Sequence, residues 1–178
     1  MKRDVLLRLA EETGFTAALC QTADIPVDPG FRKYCEENIC GQYGKNYGCP
    51  PLCGTPEVME EQLRSYPRAL VLQTVWNITD YTDHITIAKA KTAHNAASET
   101  LLAKLKAEGE ECLIVGSSGC TVCEECALAQ KQPCRFPERK YACMSAYCVH
   151  VLELARLCQL RYDCDDGRLR LFGMLLLK

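Results

Sequence analysis

The sequence predicts an α/β fold. It reads as a single domain over residues 1–178, with a four-stranded parallel or mixed sheet flanked by helices and two cysteine-rich metal-binding loops. Three observations predict it. Helix-patterned and strand-patterned segments alternate along the chain, which is the signature of helices layered on a sheet. The 178 residues are 48% hydrophobic and 25% charged, enough apolar material for one real core. The 14 cysteines are bunched. Five lie between Cys20 and Cys53 and nine between Cys112 and Cys164, with none from Gly54 to Glu111.

Each element has a local reason. Residues 2–13 place Val5, Leu6, Leu9 and Ala10 at helical spacing, with Gly14 as the stop. Phe15 to Gln21 reads as a short strand. Thr22 to Cys53 is loop-like, broken by Pro26, Pro29, Pro50, Pro51 and several glycines. Thr55-Pro56-Glu57 starts a helix to about Ser65: a hydroxyl N-cap, proline in the first turn and an acid beside the helix dipole. Ala69 to Trp76 reads as a buried strand. Residues 84–108 form the longest helix, with Ile87, Ala90, Ala97, Leu101 and Leu105 on one stripe and Gly109 at its end. Cys112 to Val115 is the next strand. Met144 to Leu160 reads as a helix, and Arg168 to Leu177 as the last strand, with Gly173 marking a candidate bulge.

Composition narrows the function. The formal charge of −2 gives no reason to expect a nucleic-acid or membrane-surface partner. No apolar run is long enough to span a bilayer. The first residues have charges interleaved among the apolar ones, unlike a secretory signal, so the expectation is a cytoplasmic protein with reduced thiols. Its cysteines are then metal ligands or redox groups before they are disulfides. No P-loop, Rossmann fingerprint, G-x-S-x-G or H-E-x-x-H motif occurs.

The segment Cys120-Thr-Val-Cys123-Glu-Glu-Cys126, followed after seven residues by Cys134-Arg-Phe-Pro137, carries the strongest signal. A zinc knuckle needs two cysteines and completes its tetrahedron from a distant pair. A third cysteine at the same short spacing suits a [4Fe–4S] cluster, in which each thiolate reaches a different iron. Lys131, Arg135, Arg139 and Lys140 supply positive charge nearby, and Gly116 and Gly119 free the backbone to turn N–H groups toward an anion.

The other segment is Cys35-x₄-Cys40-x₈-Cys49-Pro-Pro-Leu-Cys53, whose spacings match no zinc knuckle. Its prolines hold the loop out of helix. Arg32, Lys33 and Lys45 are the nearby cations. Tyr43 and Tyr47 are candidates to shield a cluster from water, or to pack as ordinary loop aromatics. Cys53 is the open eighth ligand: without it, three cysteines leave one iron accessible.

Cys35-x₄-Cys40-Gly-Gln-Tyr43-Gly44-x₃-Gly48-Cys49-Pro50-Pro51, with the distant Gly119-Cys120-x₂-Cys123-x₂-Cys126-x₇-Cys134-Arg135-Phe136-Pro137, resembles the predicted metal-binding proteins grouped as domain of unknown function 2284. The resemblance covers nearly the whole chain. It implies a cysteine-bound metal centre, iron–sulfur in kind, in a family frequent in anaerobes, and it implies no reaction. It supports Cys35, Cys40, Cys49, Cys120, Cys123, Cys126 and Cys134 as ligands, and not Cys53. Cys148 stands where it leads one to expect a small residue such as glycine.

Among the remaining cysteines, Cys20, Cys112 and Cys158 read as buried core thiols. Cys143, Cys148 and Cys164 stay open as substitute ligands or a redox pair. His94 falls on the apolar stripe of its helix and reads as a hydrogen-bonded core histidine. The expected function is a cytoplasmic iron–sulfur protein with one or two [4Fe–4S] clusters, transferring electrons to a partner protein. Two other readings stand beside it: an enzyme doing redox or sulfur chemistry at a cluster with an open iron, and a zinc-binding interaction module. Two clusters at about −2 each would bring the chain to about −6, so the redox partner is expected to present a basic patch.

Overall fold

The computed structural model describes residues 1–178 except Thr79 and Asp165. Five strands form one mixed sheet in the order β1 (Thr16–Gln21), β2 (Arg68–Asn77), β5 (Arg168–Leu177), β3 (Cys112–Gly116), β4 (Ala142–Cys143). The helices are α1 (Arg3–Glu12), α2 (Arg32–Glu36), α3 (Pro56–Arg64), α4 (His84–Ala107) and α5 (Val151–Leu157).

Strand alternation decides which helix covers which face. Leu70 and Leu72 of β2, Leu175 and Leu177 of β5, and Ile114 of β3 pack with Leu6 and Ala10 of α1 and with Leu101 and Leu105 of α4. Their alternates Ala69, Val71, Met174, Leu176 and Val115 face Met59 and Leu63 of α3 and Leu154 and Ala155 of α5. With both faces covered, β2 and β5 must be apolar on both sides. That is why they read as unbroken hydrophobic runs.

The sequence expectation of four strands misses β4, which has only two residues and no strand pattern of its own. The sheet is mixed, and only β3 and β4 pair parallel; β1–β2, β2–β5 and β3–β5 are antiparallel. The α4 crossover does deliver β3 parallel to β2, but the final strand, apolar on both faces, inserts between them and runs against both.

Two further expectations are corrected. The predicted helix from Met144 to Leu160 is helical only over Val151–Leu157. Its first part is a tight turn in which Ala146 and Tyr147 N–H groups donate to the Cys143 carbonyl and Cys148 has φ +54. Met144, Ala146, Tyr147 and Val149 are buried because the turn is pressed into the core, and this imitates a helix face. The positive φ at Cys148 is the reason a glycine suits that position. Gly173 is not a bulge, because the β2–β5 register runs unbroken through Leu72 and Gly173. Gly173 makes room instead: a Cβ there would lie 2.8 Å from Nε2 of His94. His94 is the core histidine expected, with Nδ1 2.8 Å from the Thr74 hydroxyl and its pKa pushed down to about 4 by burial. The Thr55 cap is also as read, its hydroxyl accepting from the Val58 N–H at 3.4 Å.

Candidate metal centre

Both cysteine loops gather at the end of the parallel β3–β4 pair. β3 runs out at Gly116 into the segment that carries Cys120, Cys123, Cys126 and Cys134, and the chain returns as β4 beside it. The turn that starts this segment is anchored from α4. The buried Asn95 accepts from the Ser117 N–H at 3.0 Å and donates to the Ser118 hydroxyl at 3.0 Å. Tyr141, just before β4, closes the segment: its hydroxyl accepts from the Thr121 N–H at 3.0 Å.

Cys120, Cys123, Cys126 and Cys134 line one cavity, together with Ala127, Arg135, Phe136, Lys140 and the loop residues Asn46, Tyr47 and Gly48. The other cysteine loop is therefore the roof of this space. Tyr47 spans the two loops by donating its hydroxyl to the Gln132 carbonyl at 2.9 Å. It covers the second cysteine group, not the first in which it lies by sequence. Burial pushes the Cys120 thiol up, while the Val122 and Tyr141 N–H groups pull it back down by donating to the sulfur. Donors of this kind favour a thiolate.

Gly116 and Gly119 serve close approach rather than an unusual backbone angle. A Cβ on Gly116 would sit 2.7 Å from the Tyr141 ring, and one on Gly119 would sit 2.8 Å from Sγ of Cys49. Gly48 is tighter still: a Cβ there would run into the Tyr141 carbonyl oxygen and lie 3.1 Å from Cβ of Cys120. Through these glycines the Gly48-Cys49 and Gly119-Cys120 segments lie directly against each other.

The first group is assembled from separate segments. Cys35 lies on α2, buried; Cys40 is exposed in the loop; Cys49 is buried and Cys53 half-buried. Arg32 ties these together. It is nine-tenths buried, donating from Nη1 to the Gly54 carbonyl at 3.0 Å and from Nη2 to the Ala146 carbonyl at 2.8 Å. Its Nε is buried without a partner. Burial pushes the Cys35 thiol up to about 11, with Cys143 alongside adding to the rise and Arg32 opposing it. Burial likewise pushes Cys49 up to about 12, again with Cys143 alongside and with the Asn46 side chain opposing. Burial raises Cys53, and the Arg32 guanidinium beside it holds it back.

Sequence reasoning left Cys143 as an open substitute, yet it stands among Cys35, Cys40, Cys49 and Cys53. No spacing motif could have found it, since it is brought there by β4 pairing. Cys20 and Cys158, read as separate core thiols, lie side by side, and the Cys20 thiol is pushed up by its hydrogen bond to Cys158. Among the described residues, no group of three or more His, Cys, Asp or Glu side chains converges as a ligand set for a single metal ion. No described helix is long and apolar enough to cross a membrane.

A cavity walled by four cysteines, N–H groups aimed at sulfur and a buried guanidinium nitrogen without a partner fit an anionic, cysteine-held metal group. A family model described as "Predicted metal-binding protein (DUF2284)" matches residues 18–177. No curated protein and no solved structure matches the chain.

Proposed function

The chain belongs to the family of predicted metal-binding proteins DUF2284, and on that premise we propose that it is a cytoplasmic iron–sulfur protein that relays electrons between two [4Fe–4S] sites and a partner protein. The carrying observation is the contact between the two cysteine loops. Cys49 touches Gly119, Gly48 touches Cys120, and residues 46–48 roof the cavity of the second group. Ligands of two centres in direct contact suit electron passage between them better than two independent structural metals.

A bound [4Fe–4S] cluster supplies one-electron redox chemistry at a potential tuned by charge, hydrogen bonds and solvent exposure. The residues around it supply that tuning. Cys120, Cys123, Cys126 and Cys134 would hold the second cluster, and Cys35, Cys40 and Cys49 the first. Tyr47, Ala127 and Phe136 exclude water from the second cavity, and Arg135 and Lys140 offset its negative charge. Arg32 places a desolvated positive charge at the first. Phe136 is partly exposed under the Arg139 guanidinium, 5.6 Å from its ring centroid, which gives a redox partner an apolar contact beside the second site.

The test is anaerobic purification followed by iron, sulfide and zinc analysis and an absorption spectrum. The expected result is a brown protein with roughly equal iron and sulfide, up to about eight of each per chain for two cubanes. A colourless protein with stoichiometric zinc and no sulfide overturns the reading.

A further inference from the structure

We infer that Cys20 and Cys158 are a redox-active dithiol that closes reversibly to a disulfide, with a small-molecule disulfide such as glutathione disulfide as the oxidant. The inference stands apart from the metal centre, since neither cysteine belongs to either ligand group.

The fold brings the two together from distant parts of the chain. Cys20 lies on the edge strand β1, paired in register with Ala69 of β2. Residues paired across strands share a sheet face, and this is the face that α3 and α5 cover. Cys158 lies on the inner side of that cover. Val151, Leu154, Ala155 and Cys158 follow helical spacing, and all four pack onto the core of the same face. The helix ends there in a closed turn. Gln159 is left-handed at φ +56, its N–H donates to the Arg156 carbonyl at 3.1 Å, and the Leu160 N–H donates to the Ala155 carbonyl at 2.8 Å. A strand register on one side and a helix cap on the other thus hold the two thiols, and they meet in a hydrogen bond. Both are half-buried and keep some contact with solvent.

The two sulfurs are not equivalent. The hydrogen bond to Cys158 pushes the Cys20 thiol up, and burial and the Asp24 carboxylate add to the rise. Accepting that same bond holds Cys158 below its ordinary value. Cys158 is therefore the nucleophile and Cys20 the resolving thiol. The Cys158 thiolate attacks one sulfur of the oxidant, whose S–S bond breaks and releases one thiolate. That thiolate takes from solvent the proton that Cys158 had given up. The Cys20 sulfur then attacks Cys158 Sγ in the mixed disulfide and expels the second thiolate, which leaves with the Cys20 proton. Two protein thiols are oxidised, and the oxidant is reduced to two thiols. The new bond clamps the end of α5 to the open edge of the sheet.

The test uses the anaerobically purified protein, incubated with glutathione disulfide, blocked with N-ethylmaleimide and digested with trypsin without reduction. Trypsin releases residues 9–32 and 157–161, in which Cys20 and Cys158 are the sole cysteines, so their cross-link is read directly by mass. This cross-link is expected as the major disulfide, and dithiothreitol should return both thiols to maleimide labelling. Two alkylated peptides without a cross-link, or glutathione held stably on either cysteine, overturns the inference. The wild-type result needs no variant to fold. Two variants then test the roles. In Cys20→Ser, Cys158 should retain glutathione as a mixed disulfide. In Cys158→Ser, Cys20 should take up glutathione about tenfold more slowly or less. Equal or reversed uptake overturns the assignment of nucleophile and resolving thiol.

Discussion

The two cysteine groups occupy one end of the molecule but are built in opposite ways. Cys120, Cys123, Cys126 and Cys134 come from a single stretch of chain between β3 and β4, and they wall one cavity. The first group is drawn from α2, a long loop and a strand end, and its members share a buried cation instead of a contiguous motif. Each is pinned by one buried polar side chain from a helix. Asn95 of α4 holds the turn that opens the second group, and Arg32 of α2 holds the turns that close the first. A local motif needs only its entrance fixed. A dispersed site needs its separate segments tied to each other, and the anchor is then a charge bonded to two carbonyls.

The largest expected effect tests whether the groups are separate centres. Cys126→Ser removes a ligand from the contiguous group, so iron and sulfide should fall by about half while the first centre keeps its spectrum. Loss of all iron would mean a single composite site. The next effect falls on the dispersed group. Arg32→Leu keeps the bulk but strips charged hydrogen bonds from the Gly54 and Ala146 carbonyls, at about 1.5–3 kcal/mol each. A loss of about 4 kcal/mol in urea unfolding is expected, with the first cluster released before the second. Arg32→Lys should recover only part of it, because an ammonium on a flexible stem does not reproduce the rigid fork that spans two carbonyls.

The same contrast explains what could be read from sequence. The contiguous group is legible because its two short spacings are themselves a geometry, and α1, α3, α4 and the long strands are legible from their caps and periods; α2, five residues inside the segment read as loop, is not. Cys143 was not, because β4 is a two-residue strand defined only by its partner Gly116. The turn at Met144 to Val149 reads as helix because burial gives it a helical apolar pattern, and the left-handed backbone at Cys148 is what breaks it. Strand direction was hidden for a related reason. Alternation of helix and strand fixes β2 and β3 as parallel, but nothing local says that the last strand will enter between them.

A smaller effect is expected from the anchor of the contiguous group. Asn95→Ala takes the acceptor from the Ser117 N–H and hydroxyl and a donor from the Ser118 hydroxyl, which should cost about 2 kcal/mol. In a chelator time course the second cluster should then be lost faster than in wild type, and the first at its usual rate. Equal acceleration of both would show that the anchors are not specific to their loops.

The smallest expected effect crosses between the groups. Gly119 belongs by sequence to the second, but a Cβ there meets Sγ of Cys49 at 2.8 Å and Nδ2 of Asn46 at 3.1 Å. Both obstacles are side-chain atoms, so they can give, and the cost of Gly119→Ala should be about 1 kcal/mol. What must move, however, is a sulfur of the first centre and the amide that hydrogen-bonds to it. Combined with Cys126→Ser, so that only the first centre contributes a signal, Gly119→Ala should therefore shift the electron paramagnetic resonance spectrum and the midpoint potential of a cluster whose ligands it leaves untouched. A spectrum and potential unchanged from Cys126→Ser alone would mean that the two loops do not touch through this glycine. The relay between centres would then lack its contact.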